Sequence, residues 1–190
     1  GASETETEFS ISFFADAVLQ WQQRKGIDKV NIVGYSMGGY VAMYLAKNHP
    51  ARIGKLITLA TKFHWDPAIA EKECQMLNAE KIEANLPAFA AALAKRHSPN
   101  DWKQVLQRTA DMLKALGQNN TLRTEDYITI DVPCLILLGD RDKMVTLEET
   151  VNVYKSLPNA RMGVLPDTHH PIEQINLDAL RFLIRQFLDS

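Results

Sequence analysis

The 190 residues are 46% hydrophobic and 23% charged, a make-up that supports one globular domain with a core of useful size and room for an inserted subdomain. The 21 basic and 23 acidic residues leave a formal net charge of −2 and form no basic stripe, which speaks against a nucleic-acid partner. No run approaches the ~18 consecutive apolar residues of a membrane span, so no membrane partner is expected.

No secretory signal is visible. The start, Gly1-Ala2-Ser3-Glu4, lacks a Met and reads as a processed or truncated end, from which a signal could have been lost. The two cysteines, Cys74 and Cys134, lie in different segments and form no metal-type pair. They read as reduced, partly buried thiols of a cytoplasmic protein.

Phe9 to Lys25 reads as an amphipathic helix, with Phe13, Val18 and Trp21 among its apolar positions and Gly26 as its stop. Val30-Asn31-Ile32-Val33 is too brief for a helix and suits a buried parallel strand. Gly34 to Gly39 is a glycine-rich turn, and Tyr40 to Asn48 returns to helix with small residues at Ala42 and Ala46. His49, before Pro50 at that helix end, reads as a cap. Lys55 to Ala60 is a second strand.

From about Phe63 to Tyr127 the patterns are helical, with an alanine-rich stretch at Ala88 to Leu93. Ser98-Pro99-Asn100-Asp101 reads as a helix start, with Ser98 as N-cap and Pro99 in the first turn. Leu135 to Leu138 is a third strand, entered through Pro133 and left at Gly139. A helix from about Thr146 to Ser156, a fourth strand from Arg161 to Leu165 and a final helix from Pro171 to Leu188 follow. This alternation implies an α/β fold, a parallel sheet flanked by helices, built from residues 1–62 and 128–190 with a helical insertion at 63–127.

Gly34-Tyr35-Ser36-Met37-Gly38 matches G-x-S-x-G, with a strand before it and a helix after it, which is the context this motif demands. The tight turn requires small residues two positions either side of the serine, a requirement that Gly34 and Gly38 would meet. Ser36 then projects above the sheet at a helix N-terminus, where the Met37 N–H can donate to an oxyanion. A serine hydroxyl needs a base, and the base needs an orienting carboxylate. In this chain order the acid precedes the histidine, and Asp142 and His170 supply that order after the third and fourth strands. Tyr35, and His64 with Trp65 at the root of the insertion, are candidates to line a substrate pocket. No His/Cys/Asp/Glu spacing suggests a metal site, and no phosphate-binding glycine loop is present.

Three stretches together resemble the α/β-hydrolase superfamily. They are the elbow Gly34 to Gly39, the acidic loop Leu138-Gly139-Asp140-Arg141-Asp142, and the histidine loop Pro166 to Glu173. The helical insertion is similar to that family's cap. Within the acidic loop Asp140 or Asp142 can serve, and the family's Gly-Asp-x-Asp arrangement favours Asp142. The His-Pro-x-Glu run favours His170 over His169. The resemblance also implies about four more strands before the elbow, one of them followed by a loop that carries a second oxyanion donor. Gly1-Ala2-Ser3 resembles the tail of a later Gly-x-Gly-x-Ser loop, so the chain is expected to lack those strands. Loss of one oxyanion donor costs about 10²–10³ in rate. It would also leave the elbow strand as an apolar edge, open to self-association or to a complementing N-terminal segment.

The function implied is a serine hydrolase acting on a small ester or related acyl substrate, with no cofactor. The same resemblance extends to carbon–carbon bond hydrolases, lyases, thioesterases and cofactor-free haloperoxidases. A non-catalytic ligand-binding protein on the same scaffold is the alternative of another class.

Overall fold

The computed structural model describes residues 8–190; the Gly1-Ala2-Ser3 resemblance lies outside them. In chain order the elements are α1 (Ile11–Lys25), β1 (Val30–Tyr35), α2 (Met37–Asn48), β2 (Ile53–Leu59), α3 (Pro67–Gln75), α4 (Ala79–Asn85), α5 (Pro87–His97), α6 (Trp102–Gln118), α7 (Thr124–Tyr127), β3 (Cys134–Gly139), α8 (Leu147–Ser156), β4 (Ala160–Leu165) and α9 (Leu177–Leu188). The chain divides into two compact units. Phe14–His64 with Leu122–Ser190 hold the sheet, and Trp65–Thr121 with the described residues up to Phe13 hold α3 to α6.

Among the described residues the sheet has four strands in the order β1-β2-β3-β4, all parallel. The central pair explains the apolar runs in the sequence. Strands covered on both faces need no polar alternation, and Leu56, Ile57 and Leu59 of β2 and Cys134 to Leu138 of β3 are all buried. Each such Leu or Ile contributes about 1.5–3 kcal/mol relative to exposure. On one face Ile57, Leu59, Leu135, Leu137 and Leu165 pack with Ile175 and with Leu180, Leu183, Ile184 and Phe187 of α9. The Lys55 ammonium donates to the carbonyls of Phe187, Leu188 and Ser190 at 2.9, 2.9 and 2.7 Å, a cation at the negative end of that helix.

Three expectations are corrected, while β1 meets the second of its two readings, the apolar edge. β1 lies at the edge of the described sheet, with Val33 52% exposed. Its Asn31 amide oxygen accepts the Lys55 N–H at 2.8 Å where the register shifts between Val30 and Ile32, so a side chain stands in for the ladder. In α1, Trp21 is 46% exposed while Gln22, about 100° further round the helix, is buried and donates to the Arg52 carbonyl at 3.1 Å. Ser98 closes α5, its N–H donating to the Ala94 carbonyl at 3.1 Å. Asp101 caps α6, accepting from Lys103 N–H at 2.9 Å, because a carboxylate serves the first-turn N–H groups better than a hydroxyl three residues away. The final helix does not run unbroken from Pro171: a 3₁₀ turn at Ile172–Gln174 precedes α9, and the Asn176 side chain caps α9 by accepting from Ala179 N–H at 3.1 Å.

The helical unit is held by the same local logic. Asp66 and Asn78 cap α3 and α4, accepting from Ile69 and Lys81 N–H at 2.7 and 2.8 Å. Ile82, Ala90, Leu93 and Trp102 form its small core. A Cβ on Gly117 of α6 would lie 2.7 Å from the Ala70 Cβ, so the bare glycine lets α3 and α6 close on each other.

Cys134 is fully buried in β3, and burial pushes its thiol from the ordinary 9.0 up to about 12. Burial raises the Tyr127 phenol in the same direction. The folded chain keeps a proton on Cys134 that the unfolded chain releases near pH 9. This contribution is therefore whole below pH 9 and is lost as pH rises toward 12. The urea midpoint is expected to fall across that window. Cys134→Ala should flatten the slope by up to about 1.4 kcal/mol per pH unit. An identical slope in the variant would refute the assignment.

Candidate active site

β1 ends at Tyr35 and α2 begins at Met37, so Ser36 alone turns the chain, at φ 51° and ψ −122°. That left-handed conformation costs a serine on the order of 1–3 kcal/mol and persists only when its surroundings impose it. The Ser36 N–H donates to the Leu59 carbonyl at 2.9 Å, continuing the β1–β2 ladder. The Ser36 carbonyl accepts from Gly39 N–H at 3.0 Å and from the Thr61 hydroxyl at 3.1 Å. The turn is so close that a Cβ on Gly34 would stand 2.5 Å from the Gly38 carbonyl oxygen, and one on Gly39 would run into the Thr61 hydroxyl. Gly38 has open space where its Cβ would be. The steric requirement assigned to Gly34 and Gly38 thus falls on Gly34 and Gly39, because Gly38 faces outward from the first turn of α2.

Met37 is the first residue of α2, so its N–H has no acceptor within the helix and lies at the positive end of the helix dipole. The Ser36 Oγ is 3.3 Å from His170 Nε2. His170 Nδ1 is 2.8 Å from Asp142 Oδ2. The other carboxylate oxygen of Asp142 accepts from the N–H groups of Met144 and Val145 at 2.8 and 2.9 Å, which fixes the carboxylate before the histidine arrives. The side chains of Asp142 and His170 are 1% and 13% exposed, so the pair works in a low dielectric. The arrangement can move a proton from the serine to the imidazole and hold the resulting cation against a fixed anion.

Ser36, His170 and Asp142 are thus brought together. Asp140 is not part of that chain: its Oδ1 accepts from Thr168 N–H at 3.1 Å, which ties the acidic loop to the histidine loop. His169 is exposed. The Tyr35 hydroxyl donates to the His170 carbonyl at 2.8 Å, and burial, then the Glu173 charge, push its phenol upward. His64 is exposed, with its N–H donating to Glu149 Oε1 at 3.0 Å. Trp65 belongs to the helical unit, where its carbonyl accepts from Asn120 Nδ2 at 2.9 Å.

Two further residues escaped the sequence reading. Glu149 accepts from both Phe63 and His64 N–H, and the Lys62 ammonium donates to the Met144 carbonyl. Together they pin the segment after β2 to the loop that carries Asp142. The Thr146-x-x-Glu149 spacing was the available signal, but it announces a helix start, and this glutamate reaches outside its helix. Among the described residues, no group of three or more His, Cys, Asp or Glu side chains could hold a metal ion, and no helix is long and apolar enough to cross a membrane.

Residues 1–130 match the profile of a family described as the alpha/beta hydrolase fold. That stretch contains Ser36; Asp142 and His170 lie beyond it. The chain is 28% identical over 185 residues to a pimeloyl-[acyl-carrier protein] methyl ester esterase of Aeromonas hydrophila, covering 87% of this chain and 71% of that protein. It is 26% identical over 183 residues to a 2-hydroxy-6-oxononadienedioate/2-hydroxy-6-oxononatrienedioate hydrolase of Dechloromonas aromatica, covering 86% of this chain and 63% of the relative, less than two thirds of its length. The solved structure of a thermophilic esterase from Thermogutta terrifontis superposes with a TM-score of 0.71 at 22% identity, over 98% of this chain and 75% of that one, a likeness of fold.

The elbow makes a paired prediction. Gly34→Ala must displace backbone and is expected to cost about 1–3 kcal/mol or more. Gly38→Ala, with space around it in a helix, is expected to be neutral or to stabilise by up to about 1 kcal/mol. Urea unfolding of the two variants reads the contrast, and equal costs would mean that the turn is looser than described.

Proposed function

We propose, because this chain belongs to the α/β-hydrolase fold family, that Ser36, His170 and Asp142 carry out hydrolysis of a small ester or related acyl substrate. Relatives named as esterases and hydrolases support a hydrolase enzyme of this fold. The observation that carries the reading is the unbroken relay from Ser36 Oγ through His170 to Asp142, at 3.3 and 2.8 Å.

The Ser36 oxygen attacks the acyl carbonyl while His170 Nε2 takes its proton. Asp142 holds the ring and stabilises its charged form. The oxyanion of the tetrahedral intermediate accepts from the Met37 N–H. Collapse expels the alcohol, which takes the proton back from His170, and leaves an acyl-serine. Water then gives a proton to His170 and attacks the ester. Release of the acid restores the serine. Every proton is accounted for by the imidazole, so the scheme calls on no cofactor.

In this reading residues 63–127 correspond to the family's cap insertion, and the substrate is a small molecule. Free Cys74 and Cys134 support a reducing compartment, the cytoplasm. The exposed apolar edge at Val33 supports pairing of β1 with a second copy or with a complementing N-terminal segment.

A fluorophosphonate probe followed by intact mass tests the reading. One adduct is expected, absent in Ser36→Ala. Asp142→Asn, which keeps the shape but presents the wrong hydrogen-bonding group to the ring, should slow labelling by roughly 10⁴-fold. A chain that takes no adduct and hydrolyses a panel of nitrophenyl esters no faster than Ser36→Ala would overturn the proposal.

A further inference from the structure

Tyr35 is the last residue of β1 and the covalent neighbour of Ser36, so one stretch of backbone places both side chains. Its ring packs against the cluster that contains Ile57, Leu59, Leu165 and Ile175. Beyond that cluster its hydroxyl donates to the His170 carbonyl at 2.8 Å. The ring centroid lies 5.6 Å from the imidazole, tilted by 42°. A single side chain thus ties the main chain of the histidine loop to β1. The hydroxyl's one donor is thus committed to the loop.

The main-chain hydrogen bonds between this loop and the acidic loop lie before His170, and after it the buried Ile175 side chain is held by packing alone. Asp140 accepts from Thr168 N–H at 3.1 Å, and Arg141 N–H donates to the Thr168 carbonyl at 3.1 Å. After His170, the bond from Gln174 N–H to the Pro171 carbonyl at 3.0 Å is internal to the loop and ties it to no strand. The Ser36–His170 contact, at 3.3 Å, lies at the long end of the useful range, where a small drift of the loop ends it.

We propose that Tyr35 is a positioning residue for His170, tying the main chain of the base to the strand that carries the nucleophile. The idea rests on the reading of Ser36 and His170 as nucleophile and base. Its physical content is that the gap between them is set by one neighbouring side chain rather than by two loops that move independently. A misplacement of about 1 Å between reacting groups is worth about 10²-fold in rate, so a single anchor of this kind has leverage.

Tyr35→Phe keeps the ring and removes the hydroxyl. Two readouts separate the possibilities. The ¹⁵N shifts of the His170 ring, assigned by their loss in His170→Gln, report which nitrogen carries the proton. In the wild-type chain they are expected to show a fixed Nδ1–H form facing Asp142, and in Tyr35→Phe to move toward the tautomer mixture of a free imidazole. The rate of fluorophosphonate labelling at Ser36 is expected to drop about 10-fold while the thermal midpoint stays above the assay temperature. Ring shifts that respond as expected in a chain that takes no adduct would keep the positioning role and overturn the hydrolase reading. Ring shifts and labelling rate that both match wild type would overturn the positioning role. A loss of labelling with unchanged ring shifts would do so as well, since the hydroxyl would then act elsewhere than on His170.

Discussion

Ser36 is held at φ 51°, and a serine does not rest there unless the chain around it is fully committed. What commits it is backbone: the Leu59 carbonyl takes its N–H, Gly39 and Thr61 take its carbonyl, and the bare Cα atoms of Gly34 and Gly39 let strand and helix close on one another. The strain is offset by ladder bonds that the sheet would form in any case and by the packing of α2 behind it. Because those bonds come from β2, the central strand and the tight turn are one construction. Losing the apolar fill of β2 would release the serine as surely as changing the serine's neighbours.

The groups that answer Ser36 are organised differently. Asp142 is fixed first, by two main-chain N–H groups on one oxygen, which leaves its other oxygen for the ring. A buried carboxylate with this many donors avoids the penalty of an unpaired charge and keeps its orientation without relying on the histidine. His170 sits on a loop with little regular structure. It depends on side chains from elsewhere, Asp140 ahead of it and Tyr35 behind it. The site therefore joins a serine and a carboxylate held by main-chain bonds with an imidazole on a tethered loop.

Much of this was legible in the sequence wherever the signal is local. The strand–glycine turn–helix succession exposes Ser36, and the family resemblance of the acidic and histidine loops favours Asp142 over Asp140 and His170 over His169, the residues whose side chains meet. The fold class follows from the alternation of short apolar runs with amphipathic stretches. The misses share one cause, which is partners distant in sequence. Gly39 is constrained by Thr61, and Gly38 by nothing, yet the motif treats the second glycine as the tight one. The Tyr35 hydroxyl has its partner on a carbonyl 135 residues away, which no local pattern announces. Glu149 looks like a helix-start residue until it is found receiving Phe63 and His64. Trp21 and Gln22 differ by one step of helix phase, which apolar periodicity does not resolve when both Val18 and Trp21 offer a face. The N-terminus of α9 was misplaced because Pro171 and Asn176 both signal a start, and only the cap bond to Ala179 decides between them.

The separation of 134 residues between Ser36 and His170 has a consequence for the protein during its synthesis. A nascent chain displays the serine early and its base late, and the lysine bonds that seat α9 against β2 also wait for the last residues. Until His170 leaves the ribosome, the Ser36 hydroxyl lacks its imidazole partner. A parallel sheet assembled from such distant parts is slow to close, because the loop entropy must be met before any long-range contact forms. The order of translation thus sets the order in which the parts of the site can meet.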